Sequence, residues 1–496
     1  MKDMPVNQSL VQKLTRTKPA QVESDAGTSL HGEGLSRSIG LFSLTMIGVG
    51  ATIGTGIFFT MVEAVPKAGP SVVLSFLLAA LTAGLTALCY AELSFRVPAA
   101  GSAYSFAYRT LGEFMAFIVA FCLLLEYGLA ASATAIGWSD YLNNFLVNAF
   151  HWQIPESLRS PMIVSTPNGT VWHMDHFNLP PMILVALCCF LLVRGAKESA
   201  TANAVMVMIK LAILIFFCAV AFTGFDTANF TPFIKQTPGE WLPGASGIAA
   251  AAGTVFFSFI GLDTIATAGE EVRNPKRNVP IGIIAALLLV TVFYMLVAMA
   301  AMGAQPAHLF EGQAAGLSVI LQNVTGKAWP ALVLSAGAVI SVFSVTLVTI
   351  YGQTRILYAI AKDGLVPKTF QSVNPKSHSP VANTLIVSVV VGIVAGLVDS
   401  TFLWDMVSMG TLTAFIVVSI AVPVLRSQER AAGTYTKGGF RVPFGPYFVP
   451  GLSIIACGYL MINLSHATKM IFTIWMVVAV LTYFIYGIRN SRLNKV

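Results

Sequence analysis

The sequence predicts an all-α integral membrane protein, and its composition, the length of its apolar segments and its charge distribution carry this prediction. Of the 496 residues, 56% are hydrophobic and only 10% are charged, whereas an ordinary soluble domain has about 25% charged residues. The mean hydropathy is +0.76. Apolar segments long enough to cross the hydrocarbon core of a bilayer as helices recur almost to the C-terminus.

Twelve of these segments are predicted to be transmembrane helices. An even number of spans places both chain termini on the same side of the membrane. The predicted segments lie near residues 39–65, 70–95, 112–146, 179–195, 202–224, 245–268, 279–303, 330–361, 381–398, 402–424, 447–465 and 468–487.

The basic residues are concentrated on one side of this predicted topology. If the N-terminus is cytoplasmic, most of the 29 Lys and Arg residues fall in the tails, the inner loops and the adjoining helix ends. The positive-inside rule therefore predicts that both termini lie in the cytoplasm of a cell-membrane protein. The net charge of +7 reflects this topology and does not indicate a nucleic-acid partner. The outer side receives only Lys67, Arg159, Lys235, Lys327 and Lys469, and Lys210 lies within a span.

The first apolar segment is interrupted by a glycine-rich stretch, Gly48 to Phe59. Glycine clusters at membrane depth are tolerated where the backbone is buried in protein or lines a polar cavity. Two half-helices that meet at such a break direct N–H groups one way and carbonyls the other, which suits a zwitterion. The alternative is that Gly48, Gly50, Gly54 and Gly56 only allow close helix packing.

The sixth segment carries a second interruption, in which Ser258, Gly261, Asp263 and Thr264 stand within an apolar run. Paired interruptions at corresponding positions of two halves indicate the central binding site of an inverted-repeat transporter. The alternative is an ordinary helix bend at an interface. An acidic residue within a span is costly unless it faces a cavity or a partner, which favours the site.

Three motifs resemble those of the amino acid-polyamine-organocation superfamily, and within it the bacterial branch of the cationic amino acid transporter family. They are the glycine-rich stretch of the first segment, the stretch Phe256 to Pro280, and the stretch Tyr351 to Pro367. The resemblance extends over nearly all of residues 41–489. It implies secondary active amino acid transport with the bilayer as environment, an amino acid and protons as partners, and no cofactor.

The same resemblance implies a leucine-transporter-type fold with a five-plus-five inverted repeat and interrupted helices 1 and 6. The expected divisions are a cytoplasmic tail at 1–38, a first repeat at 39–224, a second repeat at 245–424, two further helices at 447–487 and a C-terminal tail at 488–496.

The main-chain groups of the two breaks are the expected contacts for an amino acid substrate. We expect its carboxylate on the N–H groups near Thr55 and Gly56, next to Gly54 in the break. We expect its ammonium on the carbonyls of the two breaks, from Thr52 or Ile53 and from Phe257, Ser258 and Ile260.

The pocket for the substrate side chain is less defined by the sequence. Ser341, Ser344 and Thr349 fall on one helical stripe of the eighth segment that can face the cavity. Glu126 and Asp263 are either pocket acids or structural charges that pair within the protein. Small neutral and cationic amino acids both remain possible substrates.

Lys210 is predicted to be the proton-coupling residue. It lies eight residues beyond Ala202 and therefore about 12 Å inside the start of its helix. Enclosure in protein disfavours the charged form of lysine and allows it to exchange a proton. The resemblance implies an ammonium that contacts carbonyls near Gly48 to Ala51 and a hydroxyl such as that of Ser344. The alternatives are a side chain that snorkels to the interface, and an exchanger or facilitator without net proton movement.

An enzyme is not expected, because no nucleophile or metal constellation falls within the spans. All seven His residues lie in the tail or loops, and the pair His173 and His176 is interpreted as incidental, so no metal is predicted. A channel is disfavoured by the paired breaks.

Overall fold

The computed structural model describes residues 10–18, 39–97, 101–166, 169–234, 244–311, 313, 316–375, 377, 379–433, 439–464 and 466–494. The described chain is built almost entirely of helices. Much of the predicted tail at 1–38 and the last two residues of the tail at 488–496 fall outside the described residues.

The first apolar segment folds as two helices that are separated by a two-residue break. After a short helix, α1 (Leu10–Thr15), the segment forms α2 (Leu41–Thr52) and α3 (Thr55–Ala68). Ile53 is extended and Gly54 is not helical. The predicted interruption therefore exists, but it is only two residues wide.

Gly48 and Gly50 lie inside α2 and serve close packing, which differs from the predicted role of the whole glycine cluster. A Cβ atom at Gly48 would overlap the Ile265 side chain, and one at Gly50 would lie 2.7 Å from Asn203 Oδ1. These two glycines let neighbouring elements approach the backbone of α2. The packing interpretation applies to them, whereas the break begins at Ile53.

The chain continues with six helices and a β-hairpin. The hairpin pairs β1 (Ile163–Thr166) with β2 (Gly169–Trp172) in antiparallel register. It lies in the loop between the third and fourth apolar segments, and Asp399 N–H donates to Ile163 O (3.0 Å). The helices are α4 (Val72–Arg96), α5 (Ala103–Thr110), α6 (Glu113–Phe150), α7 (Glu156–Arg159), α8 (Leu179–Arg194) and α9 (Ala196–Ala221).

The sixth apolar segment is also interrupted. Helix α10 (Ala245–Phe256) passes into a 3-10 turn at Phe257–Phe259, and a four-residue helix, α11 (Thr264–Thr267), follows after a gap. Gly261 lies in this gap with φ +101°, and a Cβ atom there would lie 3.0 Å from Ala51 O. Glycine is therefore needed both for the left-handed backbone and for the approach of the two breaks.

The remaining helices complete the bundle. α14 and α16 pack against α6, and α12 packs against α2 and α4. A π-helical turn at Tyr483–Gly487 lies between the last two helices. These helices are α12 (Pro275–Ala304), α13 (Gly316–Thr325), α14 (Ala328–Lys362), α15 (Val381–Leu397), α16 (Ser400–Ala431), α17 (Phe448–Ile462), α18 (His466–Thr482) and α19 (Ile488–Asn490).

Eight helical stretches of the described chain are long and apolar enough to cross a membrane. The first of them, Leu41–Arg96, contains two of the twelve predicted segments. Three further predicted segments form apolar helices of 15 to 17 residues, α8, α15 and α17. Every predicted segment thus forms helix, and the number of spans stays a prediction.

Buried charges connect helices at one end of the bundle. Glu92 on α4 accepts hydrogen bonds from Arg426 Nε (2.7 Å) and Nη2 (2.5 Å) on α16, and from Val442 N–H (2.7 Å). Arg96 forms ion pairs with Glu92 (3.4 Å) and with Glu429. These contacts satisfy a carboxylate that is only 1% exposed, as a buried charge requires. All six cysteines are buried and unpaired with one another.

Candidate functional site

The break between α2 and α3 has two ends of opposite polarity. The last carbonyls of α2 and the first N–H groups of α3 have no partner within their own helices. The N-cap residue of α3 is Gly54, which has no side chain that could cap the helix start. The end of α2 therefore favours a cation and the start of α3 favours an anion.

Lys210 occupies the carbonyl end of the break. Its Nζ atom donates hydrogen bonds to Ile53 O (2.5 Å) and Gly50 O (3.0 Å), and the residue is fully buried. Among the described residues, no carboxylate lies within ion-pair distance of Nζ. Backbone dipoles are thus the surroundings that stabilise an ammonium here, and Lys210 points into the bundle and does not snorkel.

Asn203 lies on the same face of α9 as Lys210, two turns earlier. Its Nδ2 atom donates to Met46 O (3.2 Å), and its Oδ1 atom accepts from the Ser344 hydroxyl (2.7 Å). The expected Ser344 hydroxyl therefore bonds to Asn203 and not to Lys210. Asn203 and Lys210 together fix α9 to the backbone of α2 and of the break. The hydrogen bond from Ser344 to Asn203 connects α14 to the same cluster.

Tyr294, on α12, joins the two breaks and was not identified from the sequence. Its hydroxyl lies 2.6 Å from Thr52 O and 2.7 Å from Ser258 O, and the residue is fully buried. The phenol has one hydrogen, which is shared between the two carbonyls. The available signal was a tyrosine in the middle of an apolar segment, away from the interfacial belts where tyrosine is common.

A small cavity lies between the two breaks, α6 and α14. It includes six of the predicted site residues, Thr52, Gly56, Glu126, Phe257, Ile260 and Thr349. Its wall also includes Ala51, Gly261 and Thr264, which belong to the predicted interruptions but were not predicted to contact the substrate. The remaining residues of the wall, which sequence analysis did not name, are Tyr127, Ala130, Thr134 and Val345.

The other predicted residues whose side chains the structure describes lie around this cavity and not on its wall. Lys210 and Ile53 are on the α9 side of the break. Gly54 packs so closely against Val345 that a Cβ atom would overlap its side chain. The Ser258 hydroxyl lies 3.1 Å from the Thr60 hydroxyl. The backbone of Thr55 begins α3.

The three hydroxyls predicted to form one stripe on α14 have different surroundings. Thr349 lines the cavity, although its hydroxyl donates to Val345 O (2.8 Å). Ser344 faces Asn203. Ser341 is buried, and its hydroxyl has no hydrogen-bond partner among the described residues. Only Thr349 is therefore positioned to contact a molecule in the cavity.

Two buried carboxyl groups lie near the cavity. Glu126 lines it, and both its carboxyl oxygens lack a hydrogen-bond partner in the described part of the chain. The neighbouring Thr411 hydroxyl donates instead to Val407 O (3.0 Å). Asp263 Oδ2 accepts from the Tyr127 hydroxyl (2.7 Å), whereas Oδ1 has no partner within the described residues.

An aromatic contact joins the second break to α16, and an ion pair joins the segment after this break to α14. The rings of Phe257 and Trp404 meet edge to face with centroids 4.3 Å apart. Further along the chain, Glu271 accepts from Arg355 Nε (2.7 Å) and from the Tyr351 hydroxyl (2.8 Å). Glu271 therefore links the segment that follows the second break to α14.

Known proteins resemble this chain over most of its length. The profile of a family described as amino acid permease matches residues 39–488. The branched-chain amino acid permease BcaP of Bacillus subtilis (strain 168) is 38% identical over 461 residues, which cover 93% of this chain and 95% of that protein. The methylthioribose transporter of the same organism is 38% identical over 484 residues, or 97% and 99% of the two chains.

A plant relative has a similar identity over a smaller part of its length. The vacuolar cationic amino acid transporter 2 of Arabidopsis thaliana is 38% identical over 419 residues, which cover 84% of this chain and 63% of that protein. These relatives are named as transporters or permeases and not as enzymes, in agreement with the expectation from the sequence.

The contact between the two breaks makes Gly56 a sensitive position. A Cβ atom at Gly56 would lie 2.6 Å from Ser258 Cα, and this backbone atom cannot move without shifting the second break. Overpacking of this kind typically costs about 1–3 kcal/mol, so we expect Gly56→Ala to lower substrate uptake by about tenfold or more. We expect Gly56→Leu to abolish uptake. Uptake is measured per amount of protein in the membrane. Gly458→Ala is the control, since no atom of the described residues lies within 4 Å of its added Cβ. Wild-type uptake by Gly56→Leu would contradict this role.

The hydroxyl of Tyr294 gives a second prediction. Tyr294→Phe retains the ring that packs on Phe76 and Phe259 and removes the donor shared by the two breaks. Loss of a buried partner costs about 1–3 kcal/mol, so we expect uptake to fall by about tenfold at unchanged protein level. The exposed Tyr459→Phe is the control. Equal uptake by Tyr294→Phe and the wild type would refute the coupling role.

Proposed function

The chain belongs to the amino acid permease family, as its resemblance to the amino acid-polyamine-organocation superfamily indicated, and we propose that it takes up amino acids by proton-coupled secondary active transport with alternating access. The observation that carries the proposal is the buried Lys210 ammonium on two carbonyls of the interrupted first segment. Several apolar helices and the family make the chain a multi-pass membrane protein.

The proposed topology has twelve transmembrane helices in the cell membrane, with both termini in the cytoplasm. Residues 39–224 and 245–424 form the two inverted repeats, and residues 447–487 add two helices. Support comes from the two breaks, which occur in the first and sixth apolar segments as an inverted repeat requires.

The substrate backbone is proposed to bind between the breaks. The N–H groups at the start of α3, which follow the N-cap residue Gly54, are suited to the carboxylate. Of the carbonyls proposed for the ammonium, Ile53 O already accepts from Lys210, and Thr52 O and Ser258 O accept from Tyr294. Each carbonyl keeps a second lone pair, so the substrate ammonium shares these acceptors and adds Ile260 O.

The substrate side chain is proposed to extend into the cavity toward Thr349 and Glu126. Ala130, Ile260 and Val345 give the cavity apolar walls, which suit a small or branched aliphatic side chain. Glu126, which has no partner among the described residues, suits a cationic side chain instead. The relatives are named for branched-chain amino acids, cationic amino acids and methylthioribose, so all three classes belong in the test.

Lys210 is proposed to act as the proton switch. When protonated, it holds α2 to α9 through Gly50 O and Ile53 O. Its deprotonation weakens both contacts, because a neutral amine is a poorer donor. The first segment then loosens from its neighbours, and substrate and proton are released on the cytoplasmic side.

A competition panel tests the substrate class. Unlabelled alanine, leucine, arginine, lysine and methylthioribose compete with labelled alanine and labelled arginine for uptake into vesicles. We expect amino acids to compete and methylthioribose to fail, since it has neither the carboxylate nor the ammonium that the breaks recognise. We expect Thr349→Met to narrow the profile toward smaller side chains. An unchanged profile would remove Thr349 from the pocket, and competition by methylthioribose alone would overturn the amino acid proposal.

The same competition panel distinguishes the two possible roles of Glu126, substrate binding and structural support. If its carboxylate binds a cationic side chain, Glu126→Gln lowers arginine and lysine uptake selectively and leaves alanine uptake unchanged. Equal loss for all substrates would indicate a structural role instead.

The proton switch is tested by the pH dependence of uptake into vesicles. Outside acidification raises the protonated fraction of Lys210 and adds driving force, so we expect wild-type uptake to rise as outside pH falls and to be indifferent to sodium. Lys210→Ala should lose this pH dependence, whereas the exposed Lys327→Ala should retain it. Wild-type uptake that ignores the proton gradient would favour exchange, and a full pH response in Lys210→Ala would refute the switch.

A further inference from the structure

The N-terminal segment Leu10–Lys18 lies in a cleft at one end of the bundle. This cleft is formed by α5, the start of α6, the end of α14 and the C-terminal residues. The sequence predicts that this end faces the cytoplasm. Both the side chains and the backbone of the segment contact the cleft, and its cations Arg16 and Lys18 each form an ion pair with a carboxylate.

Glu113, the first residue of α6, is the deeper of the two carboxylates. It is fully buried and accepts from Arg16 Nε (2.9 Å) and Nη2 (2.7 Å). Hydroxyls of Tyr108 (2.8 Å), Tyr483 (3.0 Å) and Ser491 (2.5 Å) also donate to it. Arg16 is thus the cation that balances a buried negative charge, which is costly to leave unpaired.

Asp363, just after α14, is the second carboxylate. It pairs with Lys18 Nζ (2.9 Å) and accepts from the Tyr104 hydroxyl (2.8 Å). Its backbone carbonyl accepts from Arg492 N–H (2.9 Å). Arg16 Nη1 also donates to Asn494 Oδ1 (2.7 Å). The segment therefore contacts α6, the end of α14 and the C-terminal residues together.

The backbone of the segment is recognised as well. Glu113 N–H donates to Arg16 O (3.0 Å), and Arg109 Nη1 donates to Lys18 O (3.1 Å). Gly112 has φ +99°, and a Cβ atom there would lie 2.8 Å from the Thr15 carbonyl carbon. A glycine with a left-handed backbone is thus what lets the segment approach.

Few apolar contacts hold the segment in place. Leu10 and Val11 are 56% and 68% exposed, and Leu14 is the residue of this segment that packs on the core. Ion pairs and hydrogen bonds dominate the attachment, so the segment can leave the cleft without exposing a large apolar surface.

We propose that Glu113 and Asp363 form a binding cleft for a basic peptide, that its ligand is the chain's own Arg16-Thr17-Lys18 segment, and that occupancy of the cleft holds the predicted cytoplasmic end of the bundle closed. The segment connects helix ends from both predicted repeats. Opening this end separates such elements, so it requires the segment to leave. The effect on transport rests on the proposed function, whereas the cleft itself does not.

The first experiment measures occupancy of the cleft in the full-length protein. Thr17→Cys places a spin label on an exposed residue, and the six native cysteines are buried. We expect an immobilised label in the otherwise wild-type chain and a mobile one when Arg16→Ala and Lys18→Ala are added. Glu113→Gln, which alters the cleft and not the segment, should also mobilise it. Lys13→Ala is the matched control within α1 and should leave the label immobilised. A label that is equally mobile in all variants overturns the proposal that the segment binds in the cleft.

A peptide experiment checks the ligand class. A protease site inserted into residues 19–38 allows the segment to be cut after folding and removed by dilution, so a folding defect cannot explain the result. A fluorescent synthetic peptide of residues 10–18 should then bind saturably, and a peptide with Arg16→Ala and Lys18→Ala should not. Equal binding of both peptides, or binding of neither, refutes recognition of the basic pair.

The second consequence is kinetic. In proteoliposomes, the variant with Arg16→Ala and Lys18→Ala, in which the segment is released, should exchange labelled substrate about fivefold faster or more. This change lies in the range of typical coupling between two sites of a protein. The Lys13→Ala control should exchange at the wild-type rate. A mobile label with unchanged exchange would refute the closing role and leave the cleft intact. Absence of exchange in every variant, including the wild type, would count against the proposed function while the label still tests the cleft.

Discussion

The constraint on which the site depends is the need to satisfy backbone groups that are freed inside an apolar bundle. At Ile53 and Gly54 the helical hydrogen-bond pattern stops, and the hydrocarbon core of a bilayer contains no water that could hydrogen-bond the freed backbone groups. Lys210 supplies donors to Gly50 O and Ile53 O, and Tyr294 supplies one to Thr52 O and Ser258 O. The break is therefore stable only together with α9 and α12.

This dependence links the break to the elements around it. Because the donors come from side chains and not from the same helix, movement of α9 or α12 alters the hydrogen bonds of α2 directly. The second break is joined to the first by the Tyr294 hydroxyl and by the contact of Gly261 with Ala51. A molecule that binds between the breaks thus competes for acceptors that also hold the bundle together.

Charge placement separates the middle of the bundle from its predicted cytoplasmic end. In the middle, Lys210 has only carbonyl partners and Glu126 has no hydrogen-bond partner among the described residues. At the end, carboxylates such as Glu113 and Glu271 pair with arginines. Matched pairs hold helix ends in one arrangement, whereas Lys210 and Glu126, which lack an ion-pair partner among the described residues, fit the roles proposed for them in proton coupling and side-chain binding.

The sequence by itself determined the helical membrane class, the family, the two interruptions and the position of Lys210 within an apolar segment, because apolar length, glycine clusters and isolated charges are local patterns. The tertiary structure decided which glycines form the break and which serve packing, since Gly50 is helical and packs against Asn203, whereas Gly54 is not helical and packs against Val345. It also decided that Ser344 bonds to Asn203 and that Tyr294 bridges both breaks. These partners are 141 and 242 residues apart from the groups they satisfy, and no local pattern encodes a contact over that separation.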